Sequence, residues 1–109
     1  MTGSLPPVYR RAIVEMLREV LAQGKAVTFT VRGDSMVPSF NDGEQVRIVP
    51  AGPDGLQPGD VVAYVDAGHQ IITHRVVRVG GDTLITRGDN RDHDDPPVPF
   101  ERVLGKVET

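Results

Sequence analysis

Turn-forming residues divide the chain beyond residue 26 into short apolar runs, and this punctuation limits what the chain can fold into. Glycine, proline, asparagine and aspartate cluster between the runs, at 41–43, 52–55, 58–59, 67–68 and 80–82. The runs have the length and the apolar residues of β-strands. We predict six strands, at 26–32, 45–50, 60–65, 70–79, 83–87 and 103–107. The fourth and fifth should form a hairpin around the two glycines at 80 and 81.

A single helix is predicted in front of the strands, from about Pro7 to Gln23. Ser4 is placed to cap its start, and Gly24 is a natural stop. Apolar residues recur at the helical spacings of three and four, at Tyr9, Ile13, Met16, Leu17, Val20 and Leu21. We expect this stripe to pack on the rest of the protein, and a docking face for a partner or a membrane surface is the alternative.

Together these elements predict a mainly β fold, in which a coiled, partly closed β-sheet is accompanied by one N-terminal α-helix. A chain of 109 residues is expected to form one compact domain. Residues 1–25 would supply the amphipathic helix, and residues 26–109 would supply the β-rich part that carries any chemistry.

Composition excludes several classes of function. The net charge of −3 gives no electrostatic reason to expect a nucleic-acid partner. The absence of cysteine excludes disulfides, thiolate metal sites and a cysteine nucleophile. No apolar run approaches the roughly 20 residues that cross a bilayer. We therefore expect a soluble, cytoplasmic protein, although the soluble part of an anchored protein would have the same character.

The stretch VTFTVRGDSMVPSF, residues 27–40, places a serine just after a predicted strand. Gly33 removes side-chain bulk next to Ser35, and backbone N–H groups at such a turn are able to face a developing oxyanion. A serine hydroxyl is a weak nucleophile unless a neighbouring base takes its proton. Ser35 is therefore a candidate nucleophile, and the alternative is an ordinary Gly-Asp-Ser turn.

Among the three histidines, His74 is the candidate base. It lies inside the predicted strand 70–79 and shares a face with Ile72 and Val76, so it should be partly buried. The other two histidines fall in a predicted turn and a predicted loop. An imidazole on a rigid strand is the usual general base near neutral pH. The alternative is a histidine that only binds a backbone carbonyl.

The segment RGDNRDHDD, residues 87–95, is rich in carboxylates. They belong to Asp89, Asp92, Asp94 and Asp95. One of them is able to hold an imidazole in the tautomer that accepts a proton from serine. The same cluster with His93 suggests a metal site, but it lacks the glycine and the closing glutamate of a calcium-binding EF-hand. A solvated acidic turn is the other alternative, and we expect residues 88–100 to form a loop without regular structure.

In their order and spacing, these motifs resemble the signal peptidase I and LexA clan of serine peptidases. The resemblance runs from about Val27 to Val107 and leaves the N-terminal helix outside. It rests on RGDSMVPSF, DGEQVRIVP, QPGDVVAYV, ITHRVVRV, ITRGDNRDHDD and VLGKV. It implies the coiled β-sheet of that clan's catalytic domain, with Ser35 as nucleophile. It also implies that Met36 helps to line the pocket for the residue before the cut, and that the Ser35 N–H serves the oxyanion beside Gly33.

Most bacterial signal peptidases and LexA repressors use a lysine as the base, whereas the matching strand here reads ITHRVVRV. This strand is similar to the branch found in archaea and in the endoplasmic-reticulum signal peptidase complex, which implies His74 as the base. The loop is similar to the KGDNN..DD pattern of the same branch. The resemblance therefore implies Asp95 as the acid of the triad, with Asp94 or Asp89 next in line.

The implied function is a serine endopeptidase that cleaves a precursor or leader peptide through an acyl-enzyme, without a metal or an organic cofactor. Its substrate would be an extended peptide with small residues near the cut, lying beside the strand 26–32. Membrane association would come only through a partner protein. Two alternatives stay open, namely a non-catalytic peptide-binding module of the same fold and a LexA-like regulatory autoprotease fragment.

Overall fold

The computed structural model describes residues 6–108, in which one helix precedes seven strands. Helix α1 spans Pro7–Ala22. The strands are β1 Val27–Thr30, β2 Gln45–Val49, β3 Val61–Val65, β4 Ile71–Gly80, β5 Thr83–Arg87, β6 Val98–Pro99 and β7 Val103–Glu108. The prediction of a mainly β fold with one N-terminal helix is confirmed.

The seven strands form one antiparallel sheet in the order β1-β2-β7-β3-β4-β5-β6, and the sheet curls into a half-barrel. The predicted hairpin is present, because β4 and β5 pair from Gly80 opposite Thr83 to Arg75 opposite Arg87. The last strand of the chain, β7, lies in the middle of the sheet between β2 and β3. The sheet is therefore completed only when the C-terminal segment has joined it.

The prediction that residues 88–100 contain no regular structure is wrong at their end. Val98 and Pro99 form the short strand β6, which pairs with Leu84 and Thr83. Val98 is buried against Leu84, and this apolar contact holds the segment on the sheet. Pro99 is tolerated because β6 is an edge strand, where a missing N–H breaks no second ladder.

Strand β3 shows that both faces of the sheet are covered, since all five of its residues are buried. Successive side chains of a strand point to opposite faces. Val62 and Tyr64 accordingly enter one apolar cluster with Leu84, whereas Ala63 and Val65 enter another cluster beneath α1. Tyr64 thereby reaches the face of the sheet on which the polar residues described below are found.

Helix α1 has the predicted bounds to within one residue. Gly24 has a φ of +81°, and its N–H donates to the carbonyl of Leu21. This left-handed conformation suits glycine and ends the helix at the predicted place. The predicted cap, Ser4, lies outside the described residues. Within residues 6–108, no helix combines the length and the hydropathy needed to span a lipid bilayer.

The buried face of α1 is narrower than the predicted apolar stripe. Val14 and Leu21 are buried, and Leu17 packs beside them against the sheet. Tyr9 and Met16, which the stripe included, are 60% and 65% exposed. The apolar arc of the helix is thus wider than its contact with the sheet, so the expectation that the whole stripe packs is wrong for these two residues.

We expect Leu21→Ala to lower the free energy of unfolding by about 2–4 kcal/mol, because it leaves a cavity beneath α1. Met16→Ala removes a side chain of similar volume from an exposed position and should change the free energy by less than about 0.5 kcal/mol. Urea unfolding followed by circular dichroism measures both values. Equal losses in the two variants would contradict the packing of α1 described above.

Candidate active site

Ser35 lies in the turn after β1, and hydrogen bonds fix the backbone that leads to it. The N–H of Val31 donates to the carbonyl of Glu44, and the carbonyl of Val31 accepts from Gly43, both at 2.8 Å. Gly33 adopts a φ of +86°, and its N–H donates to Oδ1 of Asp42 at 2.8 Å. Gly33, the residue expected beside the oxyanion, therefore has its N–H engaged by Asp42.

A second segment, residues 88–91, clamps the serine turn from the other side. The N–H of Asn90 donates to the carbonyl of Ser35 at 2.7 Å, and its amide donates to the carbonyl of Asp34 at 3.0 Å. A Cβ on Gly88 would lie 2.8 Å from the Ser35 carbonyl oxygen, so only glycine permits this approach. Arg91 pairs with Asp34 at 2.9 Å and holds the pKa of that exposed carboxyl below its usual range.

His74 stands between Ser35 and Asp95. Its Nε2 lies 3.1 Å from Oγ of Ser35, and its Nδ1 lies 2.5 Å from Oδ2 of Asp95. The side chains of His74 and Asp95 are 12% and 18% exposed. An ionised carboxylate only accepts hydrogen bonds, so Nδ1 carries the proton and Nε2 is left to accept from the serine hydroxyl. This arrangement is the geometry that activates a serine.

Two residues that the sequence reasoning missed also donate to Asp95. The buried hydroxyl of Thr86 donates to Oδ2 at 2.7 Å, and the Tyr64 hydroxyl makes a longer contact at 3.4 Å. Burial raises the pKa of Tyr64 to about 12, so the phenol keeps its proton and remains a donor. The available signals were the one tyrosine in the apolar strand VVAYV and, in TLITR, a threonine two residues after Leu84 and therefore on the same face.

The two alternative acids are bound to arginines instead of His74. Asp89 accepts both Nε and Nη2 of Arg75 at 2.8 Å and the hydroxyl of Ser39 at 2.6 Å. Asp94 accepts Nε and Nη2 of Arg87, at 2.9 and 2.7 Å. Both carboxylates thus stabilise the surroundings of the site without touching the imidazole.

The remaining acidic residue of the loop, Asp92, pairs with the adjacent His93 at 2.9 Å on the surface. Asp92, Asp94 and Asp95 therefore bind three different cations or imidazoles, and they do not converge. Within the part of the chain that the structure describes, no three histidine, aspartate or glutamate side chains are grouped as a metal site requires.

Met36 lies beneath the site rather than on the wall of a pocket. It is 1% exposed and packs in the apolar cluster that contains Val31 and Val61. Its sulfur accepts the N–H of Asp89 at 3.3 Å, which ties the serine turn to the loop. The side chain expected to line the pocket before the cut thus lies in the core, where it packs against buried valines.

The space next to Ser35 is bounded by β1 and by the first residues of β4. A cavity of about 70 Å³ is lined by Ser35, Phe29, Arg32 and residues 71–74. A second cavity of about 300 Å³ shares Phe29, Arg32 and Ile71 with the first and continues towards α1, where Ile13 and Leu17 line it. We call these two cavities together the Ser35 groove. Two larger cavities, of about 520 and 530 Å³, lie along α1 away from Ser35.

The comparisons with known proteins give one finding. A family model described as Peptidase S24-like matches residues 7–108. The match includes helix α1, which the sequence resemblance had left outside. No curated protein matches the chain.

The pairing of Asp89 with Arg75 predicts a pH-dependent contribution to stability. Hydrogen bonds from Arg75 hold the pKa of Asp89 below its usual value of 3.8. A carboxyl with a lowered pKa in the folded state stabilises the protein above the unfolded-state pKa, and this stabilisation is lost as the pH falls through the folded-state pKa. We expect Asp89→Asn to lower the free energy of unfolding at neutral pH by about 1 kcal/mol, because the pair is partly exposed and screened.

The difference between the parent and Asp89→Asn should shrink once the pH falls below 3.8. Chemical unfolding over a series of pH values measures it. Asp82→Asn is the control, since Asp82 is exposed and, among residues 6–108, its carboxylate has no hydrogen-bond or ion-pair partner. A difference that stays constant with pH would contradict this account of Asp89.

Proposed function

Because the chain belongs to the Peptidase S24-like family, we propose that it is a serine endopeptidase in which Ser35, His74 and Asp95 form the catalytic triad. The observation that carries the proposal is the continuous hydrogen-bonded chain from the Ser35 hydroxyl through both imidazole nitrogens to the Asp95 carboxylate.

We propose a histidine rather than a lysine as the base, and the positions of the two lysines agree with this. Lys106 pairs with Asp60 at 3.3 Å, and the other lysine, Lys25, follows α1.

The mechanism follows from the donors and acceptors. Nε2 of His74 takes the Ser35 proton as Oγ attacks the peptide carbonyl, and Asp95 stabilises the imidazolium that forms. The imidazolium then protonates the leaving amine, and an acyl-enzyme is left on Ser35. In the second half, His74 takes a proton from the water that attacks the ester carbonyl. It returns this proton to Oγ of Ser35 as the ester bond breaks, so the acid product leaves and the enzyme is restored.

The developing oxyanion needs a donor that is not already engaged. Among residues 6–108, the backbone N–H of Ser35 makes no hydrogen bond, whereas the Gly33 N–H is bound to Asp42. The Ser35 N–H is therefore our proposed donor. The same turn holds this N–H and the hydroxyl, and we propose that a substrate carbonyl over Oγ meets both groups.

We propose an extended precursor or leader peptide as the substrate. Among the described residues 6–108, β1 is an edge of the sheet and pairs only with β2, and residues 71–74 of β4 pair only with β3. An extended peptide in the Ser35 groove would lie between β1 and residues 71–74, each of which has one unpaired edge, and would add a strand beside β1. The cavity of about 70 Å³ next to Ser35 suits a small side chain at the cut.

The test is mass spectrometry of a diverse peptide library incubated with the protein and with the variants Ser35→Ala and His74→Ala. We expect cleavage by the parent that falls by about 10³-fold or more in both variants. For the parent, kcat/KM should rise as the pH passes through about 6 to 7, the range in which histidine imidazoles lose their proton. No cleavage together with peptide binding that survives Ser35→Ala would favour a binding module, and specific self-cleavage would favour an autoprotease.

Thr86 should act as a positioning residue for Asp95. Thr86→Val keeps the shape of the buried side chain and removes the donor to Oδ2, so we expect kcat/KM to fall about tenfold. A carboxylate with one donor fewer stabilises the imidazolium more strongly, so the midpoint of the kcat/KM profile should move to higher pH. Thr83→Val, at the far end of the same strand, is the matched control. A loss of activity with an unmoved pH profile would reduce Thr86 to a packing role.

A further inference from the structure

We infer that the Ser35 groove selects peptides that carry an acidic side chain near the cut, and that Arg32 is the residue that recognises it. This inference rests on the proposed peptidase function. Arg32 lies three residues before Ser35 and lines both cavities of the groove. The other lining residues are aliphatic, aromatic or hydroxyl side chains, together with His74. Among the described side chains that line the groove, Arg32 is therefore the one that carries a permanent charge.

The carboxylates around the serine turn are engaged by other donors. Asp34 is paired with Arg91, Asp42 accepts the N–H of Gly33, and Asp89 is held by Arg75. In the described chain, residues 6–108, the guanidinium of Arg32 has no hydrogen-bond or ion-pair partner. The three aspartates that hold the loops of the site therefore all have partners. The guanidinium of Arg32, which lines the groove, has no counterion within residues 6–108.

The backbone on both sides of Arg32 is fixed before any peptide arrives. Val31 is buried and bonded to Glu44 and Gly43, and Gly33 is bonded to Asp42. The guanidinium can therefore search only a limited region above the groove. A carboxylate in that region would be recognised at a restricted position along the peptide, rather than anywhere on it.

The surroundings of Arg32 strengthen a pair with a bound carboxylate. Phe29 and Ile71 line both cavities with it, and Ile13 and Leu17 line the part towards α1. A peptide lying on these apolar side chains excludes water, which lowers the local dielectric constant and makes a charge-assisted bidentate pair stronger than one on an open surface. The preferred substrate is therefore an extended segment with apolar residues and one aspartate or glutamate, and a lysine at the same position is disfavoured.

The experiment uses a peptide that the protein cleaves and replaces one residue at a time, on both sides of the cut, with Glu, Gln or Lys. We expect one or two adjacent positions at which kcat/KM is on the order of tenfold higher for Glu than for Gln, and lower still for Lys. The preference should weaken at high salt, because screening reduces the attraction between the charges. A Glu to Gln ratio near one at every position would overturn the inference.

Variants of Arg32 connect the preference to this side chain. Arg32→Gln should bring the Glu to Gln ratio towards one, and Arg32→Glu should make the Lys peptide better than the Gln peptide. Arg78→Gln is the matched control, because Arg78 is also exposed but lies on β4 outside the groove, and it should keep the parent's ratio. Thermal unfolding of each variant shows that it is folded.

The two proposals fail in different ways. If no peptide is cleaved, or cleavage survives Ser35→Ala, the proposed peptidase is wrong. If peptides are cleaved by the parent and not by Ser35→Ala, but the Glu preference is absent or persists in Arg32→Gln, only the role of Arg32 is wrong.

Discussion

One carboxylate oxygen, Oδ2 of Asp95, is contacted by side chains from three neighbouring strands. β3 contributes Tyr64, β4 contributes His74 and β5 contributes Thr86. The register explains why they meet. His74 lies opposite Val62, which shares a face with Tyr64, and Thr86 lies opposite Val76, which shares a face with His74. A shift of one residue in either pairing would send one donor to the other face, so the apolar packing that fixes the register also fixes the site.

The serine reaches this point only because the sheet curls. β1, which leads to Ser35, stands four positions from β4 in the sheet order, and in a flat sheet that would separate the strands by roughly 19 Å. The observed distance from Ser35 Oγ to His74 Nε2 is 3.1 Å. Loop 88–91 follows β5 and donates hydrogen bonds to the serine turn directly, so it connects the end of β5 to the turn after β1 across the curl.

Local pattern was enough to predict the helix, the hairpin and a partly buried His74, because each depends on residues close together in the chain. The position of β7 between β2 and β3 was not predictable in this way, since it depends on which distant edges meet. The burial of Met36 was also not predictable from local pattern, because it depends on Val61 and Val107 across the core. Nor was the hydrogen bond of Thr86, because its acceptor Asp95 lies in the loop after β5. The resemblance to a known clan named Asp95 where composition left four carboxylates open, and the structure places only that carboxylate against the imidazole.

A site that admits an extended peptide has to leave strand edges unpaired, and unpaired edges invite pairing with other chains. This chain limits the exposure in two ways. β1 has only four residues, and the turn at Gly33 ends it. Arg32 then places a charge where another strand would continue the pairing, and a charge at an edge opposes any partner that offers no counterion. In our proposal Arg32 also recognises the acidic side chain of the substrate, so one side chain would provide both selectivity and protection of the sheet edge.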